Sequence, residues 1–290
     1  MIFQNRLDAS VVLPQVNSED IDEVKARCNQ MGIKTTLIRS SSVAADLKKW
    51  YKLEKPNLCV VMTFPYMIPK NLLELEGSSW FNFHFALLPQ YRGAEPIFWV
   101  LKNQELVGGI TVHKMTKDVD AGPIVLQREI PIDTFDTHGS HMSKLEALAP
   151  QLLYELLTAF RQNPLVLTGK PQNKSLAKTY PRAALSDLLV NWKEMEAVEI
   201  EALVRASNPW NKGAIAFINK MPVRLIEVQI SEKGNSEKLQ IGEIYELNNH
   251  LVVRCLGEKD LVIGIVYLNE GYLTGIRFRN MYRVSGLKFD

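Results

Sequence analysis

Short, dense apolar blocks alternate with longer amphipathic segments through the first half of this chain. Residues 9–14, ASVVLP, read as a buried strand. Residues 18–32, SEDIDEVKARCNQMG, read as a helix, with Ser18 as the cap, acidic residues in the first turn and Gly32 as the stop. IKTTLI (33–38) is β-branched and strand-like, SVAADLKKWYKLE (42–54) is helical, and NLCVVMTF (57–64) is a continuous apolar run suited to a strand covered on both faces. Strands separated by helices of this length predict an α/β domain with a Rossmann-like, mostly parallel sheet. WFNFHFALL (80–88) adds a strand, PIFWVLKNQ (96–104) a helix, and GGITVHKM (108–115) with PIVLQREIPI (123–132) a strand pair joined by TKDVDAG. A helix follows at 143–163, where Pro150 marks a kink or a junction between two shorter helices.

The pattern changes after residue 165. Residues 164–187 carry scattered prolines and little periodicity, as a linker does. A short helix at 194–207 leads into Asn-Pro-Trp, and then into five strand-like runs: GAIAFI, PVRLIEVQI, IGEIYEL, HLVVRCL and LVIGIVYL. Close spacing and turn text such as EKGN and LNNH predict a small OB-like β-barrel. The expected organisation is a catalytic α/β domain over 1–168, a linker over 169–187 and the barrel over 188–290.

Composition narrows the class only slightly. With 290 residues, 46% of them hydrophobic and 23% charged, the chain is that of an ordinary globular protein. A formal net charge of +2 gives no strong push toward nucleic acid. Cys28, Cys59 and Cys255 are odd in number and far apart, which fits neither a disulfide framework nor a zinc knuckle. With no spanning apolar run and no signal-like N-terminus, the expectation is a cytoplasmic protein with no membrane partner.

Three polar residues stand out. Asn82 and His84 alternate with Phe81, Phe83 and Phe85, so both occupy one face of a strand just before a Leu-Leu-Pro turn. Asp120 lies in a tight loop fixed by Ala121, Gly122 and Pro123. In parallel sheets, ligands bind where the loops at the carboxyl ends of the strands converge. There an Asn amide can donate to a developing oxyanion, and a carboxylate can orient and charge an imidazole, a set suited to acyl transfer without a covalent intermediate. Cys59, in its apolar strand, reads as structural. His138 and His141 have helical spacing but no companion ligands, so no metal is expected. His113 reads as a plain strand histidine, with a supporting role at that site as the alternative.

These residues sit in three longer motifs: FNFHFALLPQYRGAEPI, GGITVHKMTKDVDAGPIVLQ and ASNPWNKGA. Together they resemble the folate-dependent formyltransferase family, and within it the methionyl-tRNA formyltransferases and the bacterial amino-sugar N-formyltransferases. The first family motif is matched by Asn82, His84, Leu87, Leu88, Pro89, Tyr91, Arg92 and Gly93, the second by Gly109, Ile110, Thr111, Asp120, Ala121 and Gly122, and the third by Asn208, Pro209 and Trp210. The resemblance implies formyl transfer from 10-formyltetrahydrofolate, as co-substrate, to a primary amine. It also implies catalytic roles for Asn82, His84 and Asp120, a substrate contact for Arg92, and folate binding around Phe64, Pro65 and Tyr66 and around Lys117, Asp118 and Val119. The implied acceptor is Met-tRNA or a nucleotide-linked amino sugar.

Two departures from the family bear on this. Family members open with a strand and a Gly-Thr turn, whereas MIFQNRL runs directly into text resembling the family's second strand. The basic loop that grips tRNA in the methionyl-tRNA enzymes is replaced by the short, acidic LPQVNSEDIDEV. Ala86 also stands where the family commonly has Ser. Readings from other classes are hydrolysis of the folate's formyl group, and a non-catalytic paralogue that binds folate or RNA. Trp210 reads as an anchor between helix and barrel, with stacking on a base or sugar as the alternative.

Overall fold

The computed structural model describes residues 8–232 and 238–290. The MIFQNRL segment and most of the EKGN turn lie outside the described residues. In chain order the elements are β1 (Ser10–Pro14), α1 (Glu19–Gln30), β2 (Lys34–Ile38), α2 (Val43–Glu54), β3 (Leu58–Met62), α3 (Lys70–Leu73), β4 (Ser79–His84), β5 (Arg92–Gly93), α4 (Pro96–Lys102), β6 (Val107–Lys114), β7 (Ile124–Pro131) and α5 (His138–Gln162). Then come β8 (Thr179–Tyr180), α6 (Ala197–Ala206), β9 (Ala214–Ile218), β10 (Met221–Glu232), β11 (Ile244–Leu247), β12 (His250–Val253), β13 (Lys259–Leu268), β14 (Gly271–Thr274) and α7 (Gly275–Tyr282). The chain divides into two compact units. The first holds the residues up to His84 together with Ile110–Arg128 and Ala149–Ala177, and the second holds the rest.

In the first unit, β1 and β2 pair in parallel with Val12 opposite Thr36. β3 and β4 pair in parallel with Val61 opposite Asn82, and β4 pairs antiparallel with β6. The sheet order is β3-β4-β6-β7, with β1-β2 as a separate two-stranded sheet. The sheet is therefore mixed, parallel between β3 and β4 and antiparallel between β4 and β6. Helix α1 ends as its sequence indicates: Gly32 takes φ +66, and the N–H of Ile33 reaches back to the carbonyl of Cys28. Ser18 occupies the cap position, but its side chain makes no capping bond.

One apolar core gathers Ile38, Leu47, Trp50, Cys59, Ile68, Leu72 and Trp80, with Val12 and Val61 packed against it. Trp50 meets Trp80 edge-on at 6.3 Å, and Tyr51 stacks on Trp80 at 6.2 Å. In β3 only Cys59 is fully buried. The continuous apolar run predicts cover on both faces, but β3 ends its sheet, and the edge position leaves its other residues half-exposed. Helix α5 starts at His138, before the predicted start at Ser143, and runs unbroken through Pro150.

In the second unit the barrel strands run β11-β12-β13-β10-β9, with β14 added on β13. Register shifts between Leu225 and Val228 bend β10 in the way a β-bulge does. The C-terminal residues close the sheet, since Lys288 bridges Glu243 beside one edge strand and Phe289 bridges Ile218 on the other. Phe289 also stacks on the buried Trp192 at 4.9 Å. β14 and α7 are absent from the sequence expectation, because GYLTGIRFRNMY is too short and too polar to announce either. α7 is fixed by its cap, the hydroxyl of Thr274 accepting from the N–H of Arg277, and by Phe278, which is fully buried.

Candidate active site

The Phe-Asn-Phe-His alternation works as the pleat requires. Phe81 and Phe83 are each 1% exposed on the core side, while Asn82 and His84 emerge together on the other face. Across the β4–β6 ladder, Asn82 lies opposite His113 and His84 opposite Thr111. The loop after β6 brings Asp120 over this face. Its Oδ1 lies 3.3 Å from Nε2 of His113 and 3.4 Å from Nδ2 of Asn82, and its Oδ2 lies 3.7 Å from Nδ1 of His84. The carboxylate thus stands between two imidazoles, and all three side chains are nearly removed from water. A buried carboxylate is tolerable only with such partners.

The loop that holds Asp120 is tightly constrained. Asp120 has φ +50, a left-handed conformation unusual for a residue with a Cβ. A Cβ on Gly122 would sit 1.7 Å from the carbonyl oxygen of Lys114, so only glycine fits where the loop crosses the strand end. Thr111 is buried beside the cluster and accepts a hydrogen bond from Nε2 of Gln127 at 2.8 Å.

His113 belongs to the site, although its sequence context reads most simply as a plain strand histidine. Thr111 and His113, two apart on one strand, were the available signal, but only the register with Asn82 gives it meaning. Its Nδ1 lies 3.1 Å from the carbonyl of Lys114, and its Nε2 is 3.2 Å from Nδ2 of Asn82 as well as near Asp120. Nε2 cannot accept from Asn82 and donate to Asp120 at once. With Nε2 unprotonated the ring accepts from Asn82, whereas a proton on Nε2 is donated to Asp120 and frees that Asn82 N–H.

The expected folate residues lie on two loops of the same unit. Phe64 and Tyr66 are half-buried with rings edge-to-face at 5.4 Å, Pro65 between them is exposed, and Thr63 before them takes φ +48 at the end of β3. Lys117, Asp118 and Val119 are exposed on the Asp120 loop. A flat, partly apolar heterocycle with an edge of donors and acceptors fits such loops, which offer ring surface just after β3 and backbone groups on the Asp120 loop after β6. Arg92 belongs to the second unit, where β5 pairs with β8 and Arg92 lies opposite Thr179. Among the described residues no group of three or more His, Cys, Asp or Glu side chains is placed to hold a metal ion.

Comparison with known proteins decides the family. Residues 4–157 match the formyl transferase family, and residues 184–276 match the formyl transferase C-terminal domain. The chain belongs to the formyl transferase family. It is 34% identical over 206 residues to the methionyl-tRNA formyltransferase of Thermodesulfovibrio yellowstonii, covering 71% of this chain and 64% of that protein. It is 31% identical over 246 residues to that of Dictyoglomus turgidum, covering 81% and 74%. Against the Thermotoga maritima methionyl-tRNA formyltransferase, at 34% identity, the chain spans 57% of the relative's length. Among solved structures, this formyl transferase superposes on HypX from Aquifex aeolicus in complex with tetrahydrofolic acid at a TM-score of 0.66. The identity is 16%, and the match covers 95% of this chain and 48% of HypX. The sugar 3N-formyl transferase WlaRD, 17% identical, superposes at a TM-score of 0.59 over 88% of this chain and 97% of its own. At these identities the superpositions speak for the fold.

Proposed function

We propose that this formyl transferase moves a formyl group from 10-formyltetrahydrofolate to a primary amine, with Asn82, His84 and Asp120 as its catalytic residues. The supporting observation is the Asp120 carboxylate held between His84 and His113 beside the amide of Asn82. In the reaction the amine nitrogen attacks the formyl carbon, the bond from that carbon to N10 of the folate breaks, and a proton passes from the amine to N10. Asn82 and His84 donate hydrogen bonds to the oxygen that becomes negative in the tetrahedral intermediate, and Asp120 stabilises the charged imidazole. When His113 turns its Nε2–H to Asp120, the second N–H of Asn82 is released for that oxygen. Phe64, Pro65 and Tyr66 together with Lys117, Asp118 and Val119 hold the folate, and Arg92 contacts substrate.

Residues 1–168 are taken as the folate-using catalytic domain, 169–187 as the linker and 188–290 as the acceptor domain, working in the cytoplasm. Among the described residues no helix is long and apolar enough to cross a membrane. The leading acceptor is Met-tRNA, supported by the names of the sequence relatives and by one surface of the second unit. There Arg224, Tyr267 and Tyr272 align across β10, β13 and β14, the two Tyr rings lie 4.9 Å apart, and Lys212 sits 4.7 Å over Tyr267. Stacking rings flanked by cations suit unpaired nucleotides. A nucleotide-linked amino sugar is the second reading, because Glu19, Asp20 and Asp22 in the first turn of α1 oppose the extended phosphate backbone of a tRNA, where a nucleotide sugar brings only a short phosphate bridge. Incubation with 10-formyltetrahydrofolate and each acceptor, with the products weighed by mass spectrometry, tests the proposal. A formylated amine from either acceptor is the expected result, and release of formate alone would favour hydrolysis.

A further inference from the structure

The segment that follows α5 returns to the Asp120 loop. Lys170 and Ile124 exchange both backbone hydrogen bonds, each at 2.8 Å. Gly169, at φ +73, allows this approach, since a Cβ there would lie 2.9 Å from the Ile124 carbonyl oxygen. Two residues further on, Gln172 directs Nε2 at the carbonyl oxygen of Asp120 (2.8 Å) and at that of Gly122 (2.7 Å). A carboxamide nitrogen carries two hydrogens, so one side chain satisfies two carbonyls of a single tight loop. One of them belongs to the residue whose carboxylate stands between His84 and His113.

We propose that Gln172 is a positioning residue of the formyl-transfer site. It fixes the left-handed backbone of Asp120 by holding the carbonyls on either side of Ala121, and so sets the height of the carboxylate over the two imidazoles. This rests on Asp120 being catalytic. Asp120 has only loop residues as chain neighbours, and its φ of +50 is a conformation that its own side chain disfavours. A donor from a segment 52 residues away in sequence supplies what the local sequence does not. It also makes the linker part of the site, because any shift of residues 169–172 is transmitted to the Asp120 carboxylate.

Two substitutions separate positioning from folding. Gln172→Met keeps length and removes both donors, whereas Gln172→Glu keeps shape and sets a carboxylate against two carbonyl oxygens. For Gln172→Met, kcat is expected to fall about 10- to 100-fold with KM for 10-formyltetrahydrofolate within about threefold, and Gln172→Glu to fall further. The thermal midpoint should stay above the assay temperature in both. Hydrogen exchange at the amides of residues 119–122 should speed up by about tenfold or more, while the β3 and β4 amides keep their protection. A kcat within about twofold of the unsubstituted protein, or a rate loss that vanishes once corrected for the folded fraction, overturns the proposal. If the unsubstituted protein transfers formyl to no acceptor, the catalytic reading fails on its own. The exchange measurement then decides the clamp: faster loop exchange in Gln172→Met supports it and unchanged exchange overturns it.

Discussion

Gly122→Ala is the most direct test of whether the Asp120 loop geometry matters. The added Cβ would lie 1.7 Å from the Lys114 carbonyl oxygen and 2.9 Å from its carbonyl carbon, both strand backbone that cannot rotate away. Real Cβ atoms essentially never approach closer than 3.0 Å, so loop and strand must separate by at least about 1.3 Å, the difference between 3.0 and 1.7 Å. Asp120 is two residues from the clash, and its carboxylate begins at 3.3 Å from His113 and 3.7 Å from His84. A displacement of that size takes the longer contact to about 5 Å, beyond ion-pair range, and misplacement by about 1 Å typically costs on the order of 100-fold in rate. The assay is steady-state formyl transfer with the best acceptor, together with a urea titration to verify folding. A folded Gly122→Ala protein with kcat within about threefold of the parent would refute the reasoning, since Asp120 would then tolerate its own displacement.

Removal of the imidazole in His84→Ala should lower kcat by about 10² to 10⁴ with the fold intact, and a folded variant that keeps more than about a tenth of the activity would exclude a catalytic role. Asp120→Asn should lower kcat strongly while the affinity for a formyl-folate analogue changes by less than about threefold; lost affinity with unchanged turnover would make Asp120 a loop-folding residue. Burial, and then the charge of His141, push His138 from 6.5 down to about 4 where it lies against Trp210. The unfolded chain therefore binds this proton more readily. The stability given by the neutral ring is fully present above about pH 6.5 and is lost as pH falls toward 4, about 2 kcal/mol of it between pH 7 and 5. Urea unfolding of the parent and of His138→Phe at those two pH values checks this, and equal losses in both proteins would remove His138 as the cause.

Much of this protein is legible in one dimension because its determinants are local. The alternation of Phe81, Asn82, Phe83 and His84 fixes a strand and a polar face whatever surrounds it, since the pleat has a period of two. The periodicity of α1 and α2 and the stop at Gly32 are equally local, and so the α/β class follows. The motifs around Asn82 and around Gly122 resemble the formyl transferases closely enough to nominate Asn82, His84 and Asp120 as candidates. What sequence spacing does not contain is which strands become neighbours. Only the antiparallel β4–β6 register sets His113 opposite Asn82 and turns an ordinary strand histidine into a partner of Asp120. Only the return of the linker along Ile124 brings Gln172 to the Asp120 carbonyl, from a stretch that reads as an undifferentiated connector. The edge position of β3 and the closure of the barrel by Lys288 and Phe289 are likewise products of long-range pairing. Periodicity selects the elements and their buried faces, whereas hydrogen bonds between distant segments are decided when the whole chain competes for partners, and that competition exists only in three dimensions.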